Sequence, residues 1–132
     1  MPQLQCILVT PETTVLDEPA EFVALPLYDG EIGIAPGHTP MIGRLGCGEM
    51  RVKRAAGTSR FYVEGGFVEV VKNVVSVLTG RAVAARNLDE AVAQEQLFTA
   101  RSRRATTSDE MSVRDRLVSQ SRAQLRVARR AR

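Results

Sequence analysis

The chain has 132 residues, 44% apolar and 25% charged, which suits one globular domain, or a small domain with an appendage, and excludes a disordered polymer. Aromatics are 5% with no Trp, and the two cysteines, Cys6 and Cys47, are too few and too far apart for a disulfide scaffold or a zinc site. Net charge is +3 but polarised: residues 1–86 carry 8 Lys+Arg against 9 Asp+Glu, whereas residues 87–132 carry 10 Arg, no Lys and 6 Asp+Glu.

Several short runs in the first part read as strands. Leu4–Thr10 is apolar with polar interruptions and stops at Pro11; Glu21–Leu25 stops at Pro26. The stretch Asp29 to Pro40 alternates turn residues with isoleucines and reads as a loop, placing Glu31 on a tight turn and the only histidine, His38, between Gly37 and Thr39-Pro40. Gly48–Arg54 alternates, with Met50 and Val52 on one face and Glu49, Arg51 and Lys53 on the other. Ala55–Ser59 reads as a hairpin loop before a strand at Arg60–Glu64. Gly65-Gly66 marks a bulge or a close backbone approach. Phe67–Val71 and Val74–Thr79 form a hairpin over the two-residue connection Lys72-Asn73.

Composition changes near residue 86. All 6 Pro and all 10 Gly lie before it, and Ala, Arg, Gln and Glu dominate after it. Asn87 with Glu90 reads as a capping box opening a first helix, with Leu88, Ala91, Val92 and Phe98 at helical spacing. Thr107 with Glu110 is a second capping box, opening a helix from about Asp109 to the end. Met111, Val113, Leu117, Val118, Leu125 and Val127 are its apolar positions, and Ser121 interrupts their stripe. The expected fold is a β-sandwich or flattened barrel over residues 1–86, then an antiparallel two-helix hairpin over 87–132. Its apolar stripe is thin, so the hairpin is expected to dock on something, either as a permanently packed appendage or as one that undocks.

Nothing here points to catalysis. A lone loop histidine lacks a partner base or nucleophile, no Gly-x-Ser-x-Gly is present, no Cys/His cluster has ligand spacing, and Gly30-x-x-Gly33 is followed by no Gly-Lys-Ser/Thr. Catalytic, metal and cofactor residues are therefore expected to be absent. No apolar run reaches the ~18 residues of a membrane helix, and the N-terminus lacks a signal-peptide pattern, so a cytosolic location is expected. A nucleic-acid-binding β module with a basic helical tail is the alternative, but Phe98 is the only aromatic beyond residue 67, which leaves it without stacking platforms.

Gly30-Glu31-Ile32-Gly33-Ile34-Ala35-Pro36-Gly37-His38-Thr39-Pro40 closely resembles the GELGIxPGHAP signature of the epsilon subunits of F-type ATP synthases. The likeness continues through Gly46–Lys53, Phe61–Val70, Val74–Thr79, Leu88-Asp89-Glu90-Ala91 and Arg122–Val127. The resemblance implies a non-catalytic subunit of the rotating central stalk, peripheral to the cytoplasmic face of a bacterial inner membrane. The sandwich would bind the gamma subunit and the c-ring, with Glu31 facing the ring and His38 lying toward gamma. The hairpin would extend toward the alpha/beta head through Arg122 and Arg126 and inhibit ATP hydrolysis. No nucleic-acid partner is implied. Some family members hold ATP between the helices with an Ile/Leu-Asp-x-x-Arg-Ala motif. Here Asp89, Arg122 and Arg126 match, but Val92 replaces the motif's Arg, so weak or absent ATP binding is expected.

Overall fold

The computed structural model describes residues 2–130. Ten strands precede the helices: β1 (Leu4–Val9), β2 (Thr14–Ala20), β3 (Phe22–Leu27), β4 (Gly30–Ile34), β5 (Met41–Arg44), β6 (Cys47–Arg54), β7 (Gly57–Glu64), β8 (Phe67–Val71), β9 (Val74–Leu78) and β10 (Ala82–Ala84). They form two five-stranded sheets. One runs β2-β1-β9-β8-β5 and the other β10-β7-β6-β3-β4. A single aliphatic core lies between them, including Leu4, Leu8, Leu25, Met50, Val52, Val63, Val68 and Val75. Period-two alternation explains it: Met50 and Val52 of β6 and Phe61 and Val63 of β7 face inward, as their spacing predicts. The fold is thus an N-terminal β-sandwich followed by two helices.

Four of these strands, β2, β4, β5 and β10, were not expected. β2 contains Pro19, Asp17 and Glu18, and as an edge strand it tolerates them. Pro26 does not end β3. The β3–β6 ladder stops at Ala24, so Pro26 lies where no donor toward β6 is needed, and its carbonyl accepts from Gly46 N–H at 3.0 Å. The β6–β7 turn is the two residues Ala55-Ala56 rather than a five-residue loop, because pairing continues to Arg54 opposite Gly57. Lys72 and Asn73 both have positive φ (48° and 64°), the geometry that a tight hairpin demands. Gly66 has φ 106°, and a Cβ there would collide with the Leu78 carbonyl, which accounts for the Gly65-Gly66 signal.

A 3-10 turn (Ala85–Asn87) leads into α1 (Glu90–Ser102) and α2 (Ser108–Arg130), which pack against each other. Asn87 belongs to the turn and does not cap α1. The cap is Asp89, whose Oδ1 accepts from the Ala91 and Val92 N–H groups at 2.9 and 3.3 Å. Thr107 caps α2 as its sequence predicts, its hydroxyl donating to Glu110 Oε1 and accepting from Glu110 N–H, each at 3.1 Å. The final two residues assigned to the second helix from sequence lie outside the described residues.

The buried face of α1 is Ala93, Leu97 and Ala100, whereas Val92 and Phe98 are exposed. Of the positions expected to form the apolar stripe, Leu88 is half-buried but Ala91, Val92 and Phe98 face outward, and the buried Leu97 was not among them. On α2, Ser121 does not interrupt the packing: it is buried with Ala123, Gln124, Leu125, Val127 and Ala128. Small residues let α2 lie close on the outer face of β6 and β7, where Ala123 and Val127 pack with Tyr62 and Ala85. Leu125 instead packs with Ala93 and Leu97 of α1.

Candidate functional site

Three surfaces gather the residues that sequence analysis singled out. The first is the tip formed by the turn between β3 and β4. Glu31 stands on β4, opposite Pro26, and not on the turn itself. Strand pairing extends to Gly30, so the turn is only Tyr28-Asp29. Glu31 Oε1 accepts from Arg51 Nη2 at 2.9 Å, and the Arg44 guanidinium lies 4.5 Å from the centre of the exposed Tyr28 ring. The tip therefore presents Tyr28, Asp29, Arg44 and an Arg-paired carboxylate.

The second surface is the outer face of the first sheet. In register, Ile42 of β5 opposes Glu69 of β8, and Phe67 of β8 opposes Leu78 of β9. Ile42 is 75% exposed, Phe67 59% and Leu78 55%. The outer face of the other sheet is covered by α2, but this one is open. His38 lies on the loop from β4 to β5, with Nδ1 2.7 Å from the Thr39 carbonyl oxygen. The Gly37 N–H donates to Asn73 Oδ1 at 2.8 Å, tying this loop to the β8–β9 turn. Glu31 and His38 are thus held apart, at the two ends of β4.

The third surface is the hairpin. Arg122 and Arg126 line a groove of about 460 Å³ between α1 and α2, together with Arg101, Arg129, Gln94 and Leu97. Asp89 and Val92 are not among its lining residues: the Asp89 carboxylate is engaged in capping, and Val92 faces a different cleft. Arg129 Nε donates to Glu90 Oε1 at 3.0 Å, stapling the end of α2 to the start of α1. Arg101 and Arg129 were missed in the sequence. The spacing of Arg122, Arg126 and Arg129 is the helical i, i+4, i+7 pattern that places Arg129 on their face; for Arg101 no such signal exists.

Beneath α2 the sandwich offers polar groups. Glu49 of β6 has a side chain only 3% exposed, with Oε1 receiving Arg51 at 3.2 Å and Arg60 at 3.1 Å and lying 4.0 Å from Arg130. Tyr62, opposite Glu49 in register, is fully buried, and its hydroxyl has no well-formed hydrogen bond. Burial first, and the nearby Glu64 carboxylate second, hold its pKa far above the usual tyrosine range. Cys47, half-buried at the rim of the same contact, is raised by burial and by Glu64.

A family model described as ATP synthase, Delta/Epsilon chain, beta-sandwich domain matches residues 3–85. A protein named ATP synthase epsilon chain from Rhodopirellula baltica is 44% identical over 126 residues, covering 96% of this chain and 98% of the relative. Another of that name, from a Synechococcus species, is 40% identical over 116 residues, covering 88% and 85%. A chain in the mitochondrial ATP synthase of Euglena gracilis superposes with a TM-score of 0.85 at 21% identity, over 93% of this chain and 79% of that one, a likeness of fold. The chain belongs to the ATP synthase epsilon family, whose members are subunits of the synthase and are not catalytic by themselves.

Proposed function

We propose that this subunit is a central-stalk rotor element whose two parts do different work. Residues 1–86 form the unit that docks on the gamma subunit and rests on the c-ring. Residues 87–132 form a regulatory unit that restrains ATP hydrolysis at the alpha/beta head. The complex would hold it at the cytoplasmic face of the bacterial plasma membrane; among the described residues no helix is long and apolar enough to cross a membrane.

One observation carries this reading: the two outer faces of the sandwich are unlike. The first is open and apolar around Ile42, Phe67 and Leu78, as an obligate protein contact requires. The second is covered by a hairpin through small residues and one tyrosine. A contact of that kind buries little apolar area, leaves Glu49 Oε2 without a partner and gives the Tyr62 hydroxyl no well-formed hydrogen bond, so docked and released states lie within a few kcal/mol of each other. Glu31 and Tyr28 at the tip supply the contact to the ring, His38 lies toward gamma, and Arg122 and Arg126 meet carboxylates of the catalytic head once the hairpin is released. The same two arginines with Asp89 would be the family's ATP-binding positions. With Asp89 capping α1 and Val92 turned to another cleft, ATP affinity is expected to be weak.

The test is ATPase activity of the reconstituted complex with the chain truncated after residue 86. Hydrolysis is expected to rise severalfold; an unchanged rate removes the regulatory role from the hairpin.

A further inference from the structure

An ionic chain crosses the outer face of the second sheet, from the tip to the end of α2. Glu31 of β4 stands opposite Pro26 of β3, and Arg51 of β6 stands opposite Ala24, two residues away on the same strand. The positions beside Arg51 are small: Ala24 on β3 and, opposite Ala24, Gly33 on β4. The Arg51 side chain therefore lies across β3 and reaches the far strand. Its Nη2 donates to Glu31 Oε1 at 2.9 Å and its Nη1 to Glu49 Oε1 at 3.2 Å. One guanidinium thus spans two carboxylates, and hydrogen bonds to both raise its pKa, Glu31 first. Glu49 Oε1 also receives Arg60 at 3.1 Å and lies 4.0 Å from Nη1 of Arg130, in the last turn of α2.

The two carboxylates differ in burial. The Glu31 side chain is 55% exposed and open to a partner, whereas that of Glu49 is 3% exposed. A carboxylate so sealed depends on its guanidinium partners rather than on water. Its single charge is divided among Arg51, Arg60 and Arg130, and its Oε2 accepts no hydrogen bond. While Glu31 holds one prong of Arg51, the Glu49 charge is left largely to Arg60 and Arg130. A basic group that takes up Glu31 frees that prong. The fork then closes on Glu49 as a bidentate pair, which satisfies Oε2 and draws the charge away from Arg130.

We propose that Glu31, Arg51 and Glu49 form a relay that reports occupancy of the tip to the hairpin: a cationic group of a partner seated on Glu31 loosens Arg130, and with it the docked α2. Coupling of this kind needs a two-state element that both sites bias, and the hairpin is that element. The coupling is reciprocal, so a docked hairpin keeps Glu31 paired within the chain and less available to the partner. The relay rests on the proposed docking and release of the hairpin.

The experiment uses the full chain and reads docking from the rate of Cys47 alkylation, since Cys47 sits at the hairpin contact. Cys6, sealed in the core, stays unlabelled in every variant that is folded. Glu31→Ala withdraws the carboxylate from Arg51, as a cationic partner would. It is expected to speed Cys47 labelling about two- to fivefold, the scale of an ion pair with an exposed member. The gain is expected to vanish in an Arg51→Met background, which breaks the relay in the middle, and in an Arg130→Ala background, which removes its output. A Glu31→Ala effect that persists in either background overturns the relay, because it then reaches Cys47 by another route. Ala123→Leu lifts the hairpin by overpacking its contact with Tyr62, and so separates this proposal from the reading beneath it. If Ala123→Leu speeds labelling and Glu31→Ala does not, the relay alone is overturned. If neither does, the hairpin does not open, and docking and relay fall together.

Discussion

At the scale of single residues, burial decides which groups are inert and which positions are intolerant. Cys6 is fully buried in the core, and its thiol pKa is pushed up from 9.0 to about 12, chiefly by desolvation. The raised value means that the folded state keeps the proton where the unfolded chain gives it up. The corresponding stability is complete below pH 9 and is lost as pH climbs from about 9 toward 12. Comparison of urea midpoints for the parent and Cys6→Val across that window should show a steeper alkaline loss in the parent. Identical profiles would remove Cys6 from the alkaline transition. Gly66 is intolerant for a different reason: its φ of 106° and the adjacent Leu78 carbonyl exclude a Cβ. Gly66→Ala is expected to destabilise by at least ~2 kcal/mol, read as a fall in the denaturation midpoint. Gly65→Ala has no such collision and is expected to cost less, from its positive φ alone.

At the scale of elements, small side chains set how closely α2 approaches the sheet. Ala123 is 1% exposed against Tyr62, so Ala123→Leu overpacks the contact by about 1–3 kcal/mol. The hairpin is expected to lift while the sandwich stays folded, seen as faster Cys47 alkylation with an unchanged sandwich melting transition. A single transition shifted as a whole would mean that both layers unfold together. The same contact shows what the sequence made legible. Alternation identified the inward faces of β6 and β7, because large aliphatic residues leave a clear period-two signal. The face of α1 was misjudged, because two of its three buried residues are Ala93 and Ala100, which carry little hydrophobic signal, while Phe98 carries a strong one and is 73% exposed; on α2 the expected Leu125 and Val127 are buried, but the small residues beside them, Ser121, Ala123 and Ala128, gave no such signal. Strands β2 and β5 were invisible because their edge positions accept charge, proline and glycine. Among site residues, Arg122 and Arg126 share a groove as their spacing requires. Arg101 joins them only through the antiparallel packing of α1, and no local pattern encodes that.

At the scale of the whole molecule, the unlike outer faces predict separable losses of function. Ile42→Glu with Phe67→Glu places two charges on the open face without touching the core. The variant is expected to fold normally and to fail to co-purify with the rest of the synthase; retained assembly would exclude that face as the docking surface. Arg122→Ala with Arg126→Ala should leave assembly intact and weaken inhibition of ATP hydrolysis in the reconstituted complex. Unchanged hydrolysis would remove these arginines from the inhibitory contact.

The order of strands in the first sheet has a further consequence. β1 runs parallel to β9, with Gln5 beside Val74 and Val9 beside Leu78, and it occupies an interior position between β9 and β2. Nearly seventy residues separate the two partners in the chain, so their union must close a long loop before it returns any stabilisation. During biosynthesis the body of the subunit therefore remains open until its ninth strand has left the ribosome. The arginine-bearing segment emerges last, onto a platform that is already complete.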